Sequence, residues 1–338
     1  MIPVTVRIFS RSQHTIQVLT GFHMLREQGF VDLDIEKETR EGIPHPHFIE
    51  AIVNGKLVAF DTADGYENID GLEGYLSNPD LVYYFKRSFS GEINKKLPND
   101  CAVKIKPLGL YYYTTYDGTV LGRGGEKGLK RYLKIWMGKD MPMSVEEFEN
   151  KRFNICNNNP RILFTVRLWN PDTAKTESDR AERHYINDLR LGIIQKLKNK
   201  YPQQFFGGVQ EDEYSKVVCP DLILPSSITK RRNYIRRMKK CDICISSMGL
   251  HASIGNKFAE YIAASRAVVC EKMAYEAPGN LAEGVNYLSF STVDECVKHV
   301  EYLLNHKEKI IEMQKANHDY YLHYLRPDKM ILNAINQI

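Results

Sequence analysis

The chain has 338 residues, enough for roughly two domains, each with its own core. Apolar residues make up 43% and charged residues 26%, no apolar run approaches the ~20 residues that span a bilayer, and a net charge of +4 is too small for a dedicated nucleic-acid binder. Seven cysteines, an odd count scattered over a long chain, fit reduced and buried thiols rather than a disulfide framework.

Residues 1–10 alternate Val4, Val6 and Ile8 and read as a first strand rather than a signal peptide, which makes a cytoplasmic location the default. Residues 14–29 have helical spacing with Gly29 as the stop, and 31–36 return as a strand, so the chain opens as a βαβ unit. Open sheets of such units bind ligands at the carboxyl ends of their strands, which brings His14 forward. Strands at 48–53 and 56–60 flank Asn54-Gly55, a hairpin signal. Asp61 and Asp64 follow in a D-x-x-D spacing. They are either a metal-binding carboxylate pair or turn residues; the turn is the better reading, and both remain candidate proton acceptors.

Residues 81–88 form a strand ending in Lys86-Arg87, followed later by PLGLY at 107–111. The glycine-rich 122–128 (GRGGEKG) lacks the Lys-Ser/Thr of a P-loop, and 127–136 would offer Lys130, Arg131 and Lys134 on a helix face. Asn157-Asn158-Asn159-Pro160 marks the best domain boundary. A strand at 161–168 carries Arg167 at its end, and Arg183 lies on the following helix with Asn187 and Arg190 at four- and three-residue spacings. Further strands fall at 205–209 and 222–224. Residues 230–240 hold seven basic residues in eleven, phased as a helix that buries Tyr234, Ile235 and Met238. The basic side chains form first of all a solvated face, with peripheral contact to an anionic membrane as the functional alternative.

The richest stretch is 241–271. An apolar strand at 241–247 contains Cys241 and Cys244 without a second Cys/His pair to complete a zinc site, so no metal is expected. A loop of small residues follows, including Gly249, Ser253 and Gly255, then a helix with Phe258, Ala259, Ile262 and Ala263 on one face, then the strand 267–270. Such a loop feeds a helix N-terminus, where unpaired N–H groups and the dipole favour an anion. Lys257 and Glu260 are three apart on that helix: either an ordinary surface ion pair or two groups reaching one ligand. Helices at 292–305 and 307–324 and a last one from Arg326-Pro327 complete the chain.

The glycine-rich loop, the acidic helix residue, the AVV strand at 267–269 and the later Pro278, Gly279, Glu283, Gly284, Asn286 and Tyr287 resemble the nucleotide-sugar site of GT-B glycosyltransferases. YFKRS…PLGLYY is similar to the first domain of bacterial surface-polysaccharide transferases of that fold, and Arg167 resembles their diphosphate arginine. The resemblance implies an α/β chain of two Rossmann-like domains facing across a cleft: an acceptor domain at 1–156, a nucleotide-sugar domain at 157–322, and a helix at 323–338 returning to the first. It implies a metal-independent transfer of a sugar from a nucleotide-diphosphate sugar to a hydroxyl of a glycan or lipid-linked glycan, with no resident cofactor and no nucleic acid as partner. Glu260 would hold the ribose; Arg167, Arg183, Lys257 and the loop through Gly249, Ser253 and Gly255 would hold the diphosphate. Many retaining members place a carboxylate where this chain has Ala252, so His251 becomes the sugar-contacting candidate, beside His14, Asp61 and Asp64. A non-catalytic sugar-nucleotide-binding protein, or a membrane-peripheral scaffold of a polysaccharide assembly complex, is the alternative.

Overall fold

The computed structural model describes all residues except 11, 68, 70, 116–142 and 156–158, so GRGGEKG, the 127–136 helix and half of the Asn157–Pro160 boundary lie outside the described residues. The chain forms two compact α/β units: residues 1–145 with 274–280 and 322–338, and residues 146–273 with 281–321.

The first unit is built on a six-stranded sheet of order β2-β1-β3-β4-β5-β6. β1 (Ile2–Ile8), α1 (Ile16–Glu27) and β2 (Val31–Lys37) make the expected βαβ opening, with β1 and β2 parallel. Gly29, at φ 77°, ends the helix in the left-handed region that glycine enters without penalty. β3 (Phe48–Val53) and β4 (Lys56–Asp61) are joined by Asn54-Gly55, both at positive φ, as a tight hairpin demands. A two-residue turn can only connect antiparallel strands, so β3 runs against the rest of the sheet. β5 (Leu81–Lys86) and β6 (Ile105–Pro107) extend it in parallel; β7 (Thr114–Thr115) and β8 (Met143–Ser144) pair separately.

The second unit carries an all-parallel sheet of order β11-β10-β9-β12-β13-β14: β9 (Ile162–Val166), β10 (Phe205–Gln210), β11 (Ile223–Leu224), β12 (Ile243–Ser246), β13 (Ala267–Glu271) and β14 (Tyr287–Phe290). In its own chain order this is 3-2-1-4-5-6, the doubly wound Rossmann topology, whose direction of winding reverses between β9 and β12. Strands covered on both faces read as continuous apolar runs, and Ile162, Leu163, Phe164, Ile243, Cys244, Ile245, Val268 and Val269 are all essentially inaccessible. The helices used below are α2 (Glu177–Lys200), α3 (Arg231–Met238), α4 (Asn256–Ala263), α5 (Val293–Asn305) and α6 (Lys307–Tyr320). Thr292 and Glu295 close a capping box at the start of α5. All six described cysteines are free and buried, and burial pushes the Cys241 thiol up to about 12, which keeps it protonated and inert. Among the described residues no helix is long and apolar enough to cross a membrane.

The last helix, α7 (Pro327–Ile335), belongs to the first unit and packs on α1. Gly21 makes that approach close: a Cβ there would sit 2.3 Å from the Pro327 carbonyl oxygen and 2.4 Å from Ile331 Cγ1. Buried Gln17 adds a polar clamp, donating to the Leu110 and Leu325 carbonyls and accepting the Tyr112 N–H at 3.0 Å. Gly21→Val is therefore expected to destabilise the first unit by about 3 kcal/mol, an overpacking cost read from its unfolding transition in urea.

Candidate functional site

In the second unit the site expected from topology is the carboxyl edge of β9 and β12. A buried arginine builds it. Arg190, from α2, donates through Nε to Ser247 Oγ (2.9 Å) and through its terminal nitrogens to the carbonyls of Met248 (2.9 Å) and Arg167 (2.6 Å). Burial lowers its pKa to about 10, with Glu271 opposing the loss of charge. Glu271, at the end of β13, accepts the Met248 N–H at 2.7 Å and the Tyr185 hydroxyl at 3.2 Å. Asn187 brackets the next turn, accepting the Trp169 N–H and donating to the Trp169 carbonyl. These groups fix both strand ends before any ligand arrives.

Beyond β12 the loop folds back tightly. The Gly249 N–H donates to the Ser253 carbonyl at 2.8 Å, and a Cβ on Gly249 would lie 2.7 Å from Ser253 Oγ. His251 and Ala252 both hold left-handed backbone, at φ 58° and 51°, a strained pair for non-glycine residues. The Ala252 N–H donates to Glu182 Oε1 at 3.3 Å, which helps to hold that conformation. Glu182, Asp179 and His251 are the one trio of metal-capable side chains among the described residues, with donor atoms within 4.8 Å of one another. Gly255 then leads into α4, and no side chain caps that helix. Its first-turn N–H groups form a positive end directed at the same edge.

The predicted binding residues divide into two groups. Arg167 is exposed at the end of β9, its guanidinium held 4.3 Å over the Trp169 ring. Gly249, Ser253 and Gly255 form the loop. Lys257 and Glu260, in contrast, turn inward. Lys257 Nζ donates to the carbonyl and hydroxyl of Thr165 in β9, the hydroxyl at 2.7 Å, and burial pulls its pKa down to about 7 with Glu260 opposing. Glu260, 1% exposed, pairs through Oε1 with Arg231 at 2.7 Å, while its Oε2 is buried without a hydrogen-bond partner. Of the two readings of Lys257 and Glu260, the surface ion pair is not formed; each makes an inward contact instead, because α4 lies against the sheet along that face. Arg183 donates to the Asn170 carbonyl (2.7 Å) and Thr173 Oγ1 (2.6 Å), so it braces the loop after β9. Asn286 is a structural staple, accepting the Ala282 N–H and bonding Asn317. Pro278 and Gly279 fall in the first unit, near Gly109 and Tyr324.

At the carboxyl edge of the first sheet, Asp61 accepts from the Tyr84 hydroxyl (2.7 Å), Lys86 Nζ (2.9 Å), the Ala63 N–H (2.8 Å) and His45 Nε2 (2.9 Å). His45 Nδ1 accepts the His47 N–H, which leaves the proton on Nε2. Burial works to raise the pKa of Asp61, but Lys86 and His45 outweigh it, and the carboxyl stays well below the usual carboxylate range. A carboxylate saturated by four donors neither takes a proton nor pairs with Asp64 on a metal. Lys86 is fully buried, its ammonium also 4.5 Å from the Tyr66 ring centre. Asp64 pairs with Arg87 at 2.7 Å and keeps 39% side-chain exposure. The His14 ring lies 4.3 Å from that of His47, tilted by 47°, and burial, then His47 and Arg87, lower its pKa to about 4, so it is neutral at pH 7. His47 bonds Ser12 Oγ at 2.7 Å. The histidines of His45-Pro46-His47, next to β3, escaped the sequence reading, and their only signal there was their position before a strand.

No protein-family model and no curated protein matches the sequence. Among solved structures the chain is similar to Anabaena Alr3699/HepE in complex with UDP-glucose (11% identity, 100% of both chains covered, TM-score 0.47). It is also similar to a glycosyltransferase from Rickettsia africae (11%, 95% of this chain and 80% of that one, 0.46) and to UDP-GlcNAc 2-epimerase from Neisseria meningitidis bound to UDP-GlcNAc (14%, 78% and 66%, 0.40).

Two substitutions separate structural from site roles. Asp61→Asn strips the buried Lys86 of its counter-charge and is expected to cost about 3 to 5 kcal/mol in chemical denaturation, whereas Asp64→Asn, which removes a partly exposed partner of the buried Arg87, is expected to cost clearly less. For Lys257, the folded pKa near 7 lies below the unfolded value of 10.5. Between those values the unfolded chain binds a proton that the folded chain does not, so stability rises with pH through that window. Lys257→Met is expected to flatten this rise in melts run across neutral to alkaline pH.

Proposed function

We propose that this protein is a glycosyltransferase that moves a sugar from a nucleotide-diphosphate sugar to a hydroxyl of a glycan acceptor, without an obligatory metal, in the synthesis of a surface polysaccharide. The observation that carries the reading is the uncapped N-terminus of α4, delivered by a glycine- and serine-containing loop to the switch point of a 3-2-1-4-5-6 sheet and accompanied by Arg167 and Lys257. An anion suits that edge chemically: a diphosphate supplies acceptors for the helix N–H groups and the Arg167 guanidinium, and its charge acts on Lys257, which lies behind them on Thr165.

Bond cleavage at the anomeric carbon sends an electron pair onto the diphosphate oxygen. Groups fixed beforehand where that charge develops lower the barrier most, since they need no reorganisation during reaction. Arg190 and Glu271 supply that fixity. Lys257, half charged at neutral pH when alone, gains its proton as the diphosphate binds. The buried, unpartnered Oε2 of Glu260 is the acceptor assigned to a ribose hydroxyl, which must reach in along the α4 N-terminus to meet it. An inverting transfer needs a base for the acceptor proton, whereas a retaining one does not; His251 is the candidate contact to the donor sugar, and Asp61 is reserved for the fold.

The test is a calorimetric screen of UDP-, GDP-, CDP- and ADP-sugars, with and without Mn²⁺, followed by transfer assays with glycan acceptors. One donor class is expected to bind without metal, about tenfold or more weaker in Arg167→Ala, with proton uptake at pH 8 that Lys257→Met abolishes. Binding that requires Mn²⁺ and withstands Arg167→Ala overturns the site, and donor binding without turnover of donor favours a non-catalytic sugar-nucleotide-binding protein.

A further inference from the structure

The opposite edge of the second sheet carries a basic cavity that the donor site does not use. Parallel strands put the amino ends of β9, β10 and β12 together, about 15 Å along the strands from the loop edge. A cavity of about 490 Å³ opens there, lined by Arg161 before β9, Phe205 and Phe206 of β10, Arg236 and Arg237 of α3, and Lys240 before β12. The helix faces it by necessity: Tyr234, Ile235 and Met238 are buried on the other side.

Charge bookkeeping around α3 singles these residues out. Arg231 pairs with Glu260, Arg232 lies 3.9 Å from Glu147, and Lys239 donates to the Glu147 carbonyl. The buried Asp242 carboxylate accepts the Arg161 backbone N–H. Arg161, Arg236, Arg237 and Lys240 have no carboxylate within salt-bridge distance among the described residues, and all four are exposed. Arg237 is instead held 3.9 Å over the Phe206 ring, which orients its guanidinium at the rim of the cavity. Four like charges converging on one concavity repel each other, and a bound anion relieves that repulsion.

We infer that this cavity is a second anion site that takes a phosphoryl-bearing ligand, distinct from the nucleotide edge and independent of the transferase reading. A guanidinium group donates to two phosphoryl oxygens at a time, and Arg161, Arg236 and Arg237 offer three such groups together with the Lys240 ammonium. The phosphoryl group belongs either to a headgroup at a bilayer surface or to a soluble phosphorylated molecule.

Inorganic pyrophosphate titrated calorimetrically, and flotation with vesicles of equimolar phosphatidylcholine and phosphatidylglycerol, test the inference on the wild type, on Arg167→Ala, and on the triple variant R236Q/R237Q/K240Q. The substituted residues are exposed, and equal melting of the variants verifies that the fold is intact. Binding of either probe is expected to survive in Arg167→Ala and to weaken about tenfold or more in the triple variant. Vesicle binding that the triple variant loses, and that salt suppresses, assigns the site to a headgroup. Pyrophosphate binding lost in the triple variant, without flotation, assigns it to a soluble ligand. If neither probe binds the wild type, or the triple variant binds as well as the wild type, the inference is overturned. Pyrophosphate binding that falls only in Arg167→Ala also overturns it, while leaving the donor site standing.

Discussion

A guanidinium buried at the point where a parallel sheet reverses its winding is the constraint on which the second unit depends. Backbone carbonyls at strand ends have no ladder partner, and leaving them unpaired in a dry interior costs about as much as a lost hydrogen bond. Arg190 answers two of them at once, at Arg167 and Met248, and adds the Ser247 hydroxyl. Its own charge is tolerated because Glu271 lies close by. The pair has a cost in desolvation, and its return is geometric: β9 and β12 are held apart by a fixed amount, and the loop after β12 starts from a fixed direction. The exposed Arg167, the folded-back Gly249–Ser253 turn and the entry to α4 all inherit their positions from it.

The first unit uses the same device with the sign reversed. There the buried centre is a carboxylate, Asp61, ringed by Lys86, Tyr84, His45 and a backbone N–H at the carboxyl edge of its sheet. Both edges are thus stiffened by a buried, multiply hydrogen-bonded ion whose neighbours, Asp64 and His14 in one unit and Arg167 and His251 in the other, stay partly accessible. Rigid support beneath reactive groups is what electrostatic preorganisation requires.

Much of this was legible in the residues. Apolar runs, the Asn54-Gly55 hairpin and the spacing in α4 fixed the elements because each rests on local chemistry that period and turn preference report directly. The reversed direction of β3 was implicit in the same hairpin. What stayed hidden was pairing over distance. Nothing in the string says that Lys257 reaches Thr165, that Glu260 meets Arg231, or that Asp61 is the centre of a network rather than a free base. An isolated acidic residue after a strand reads the same whether it faces solvent or four donors. Arg190 was visible only as a polar residue at helical spacing among Ile186, Leu189 and Ile193, and its burial comes from the packing of α2 on the sheet.

The placement of α7 has a kinetic side. The first unit is discontinuous, and the contact of Gln17 with Leu325 joins positions 308 apart in sequence. During synthesis the second unit, nearly contiguous, emerges and can form its core before the helix that completes the first one exists. Until then the α1 face that receives Pro327 and Ile331 is bare, an apolar surface held open for the time needed to translate the whole second unit. Closing so long a loop costs little more free energy than closing a short one, since the entropy grows only logarithmically, but it delays the event. Chain order thus lets the parallel sheet of the second unit mature first and the first unit be sealed last.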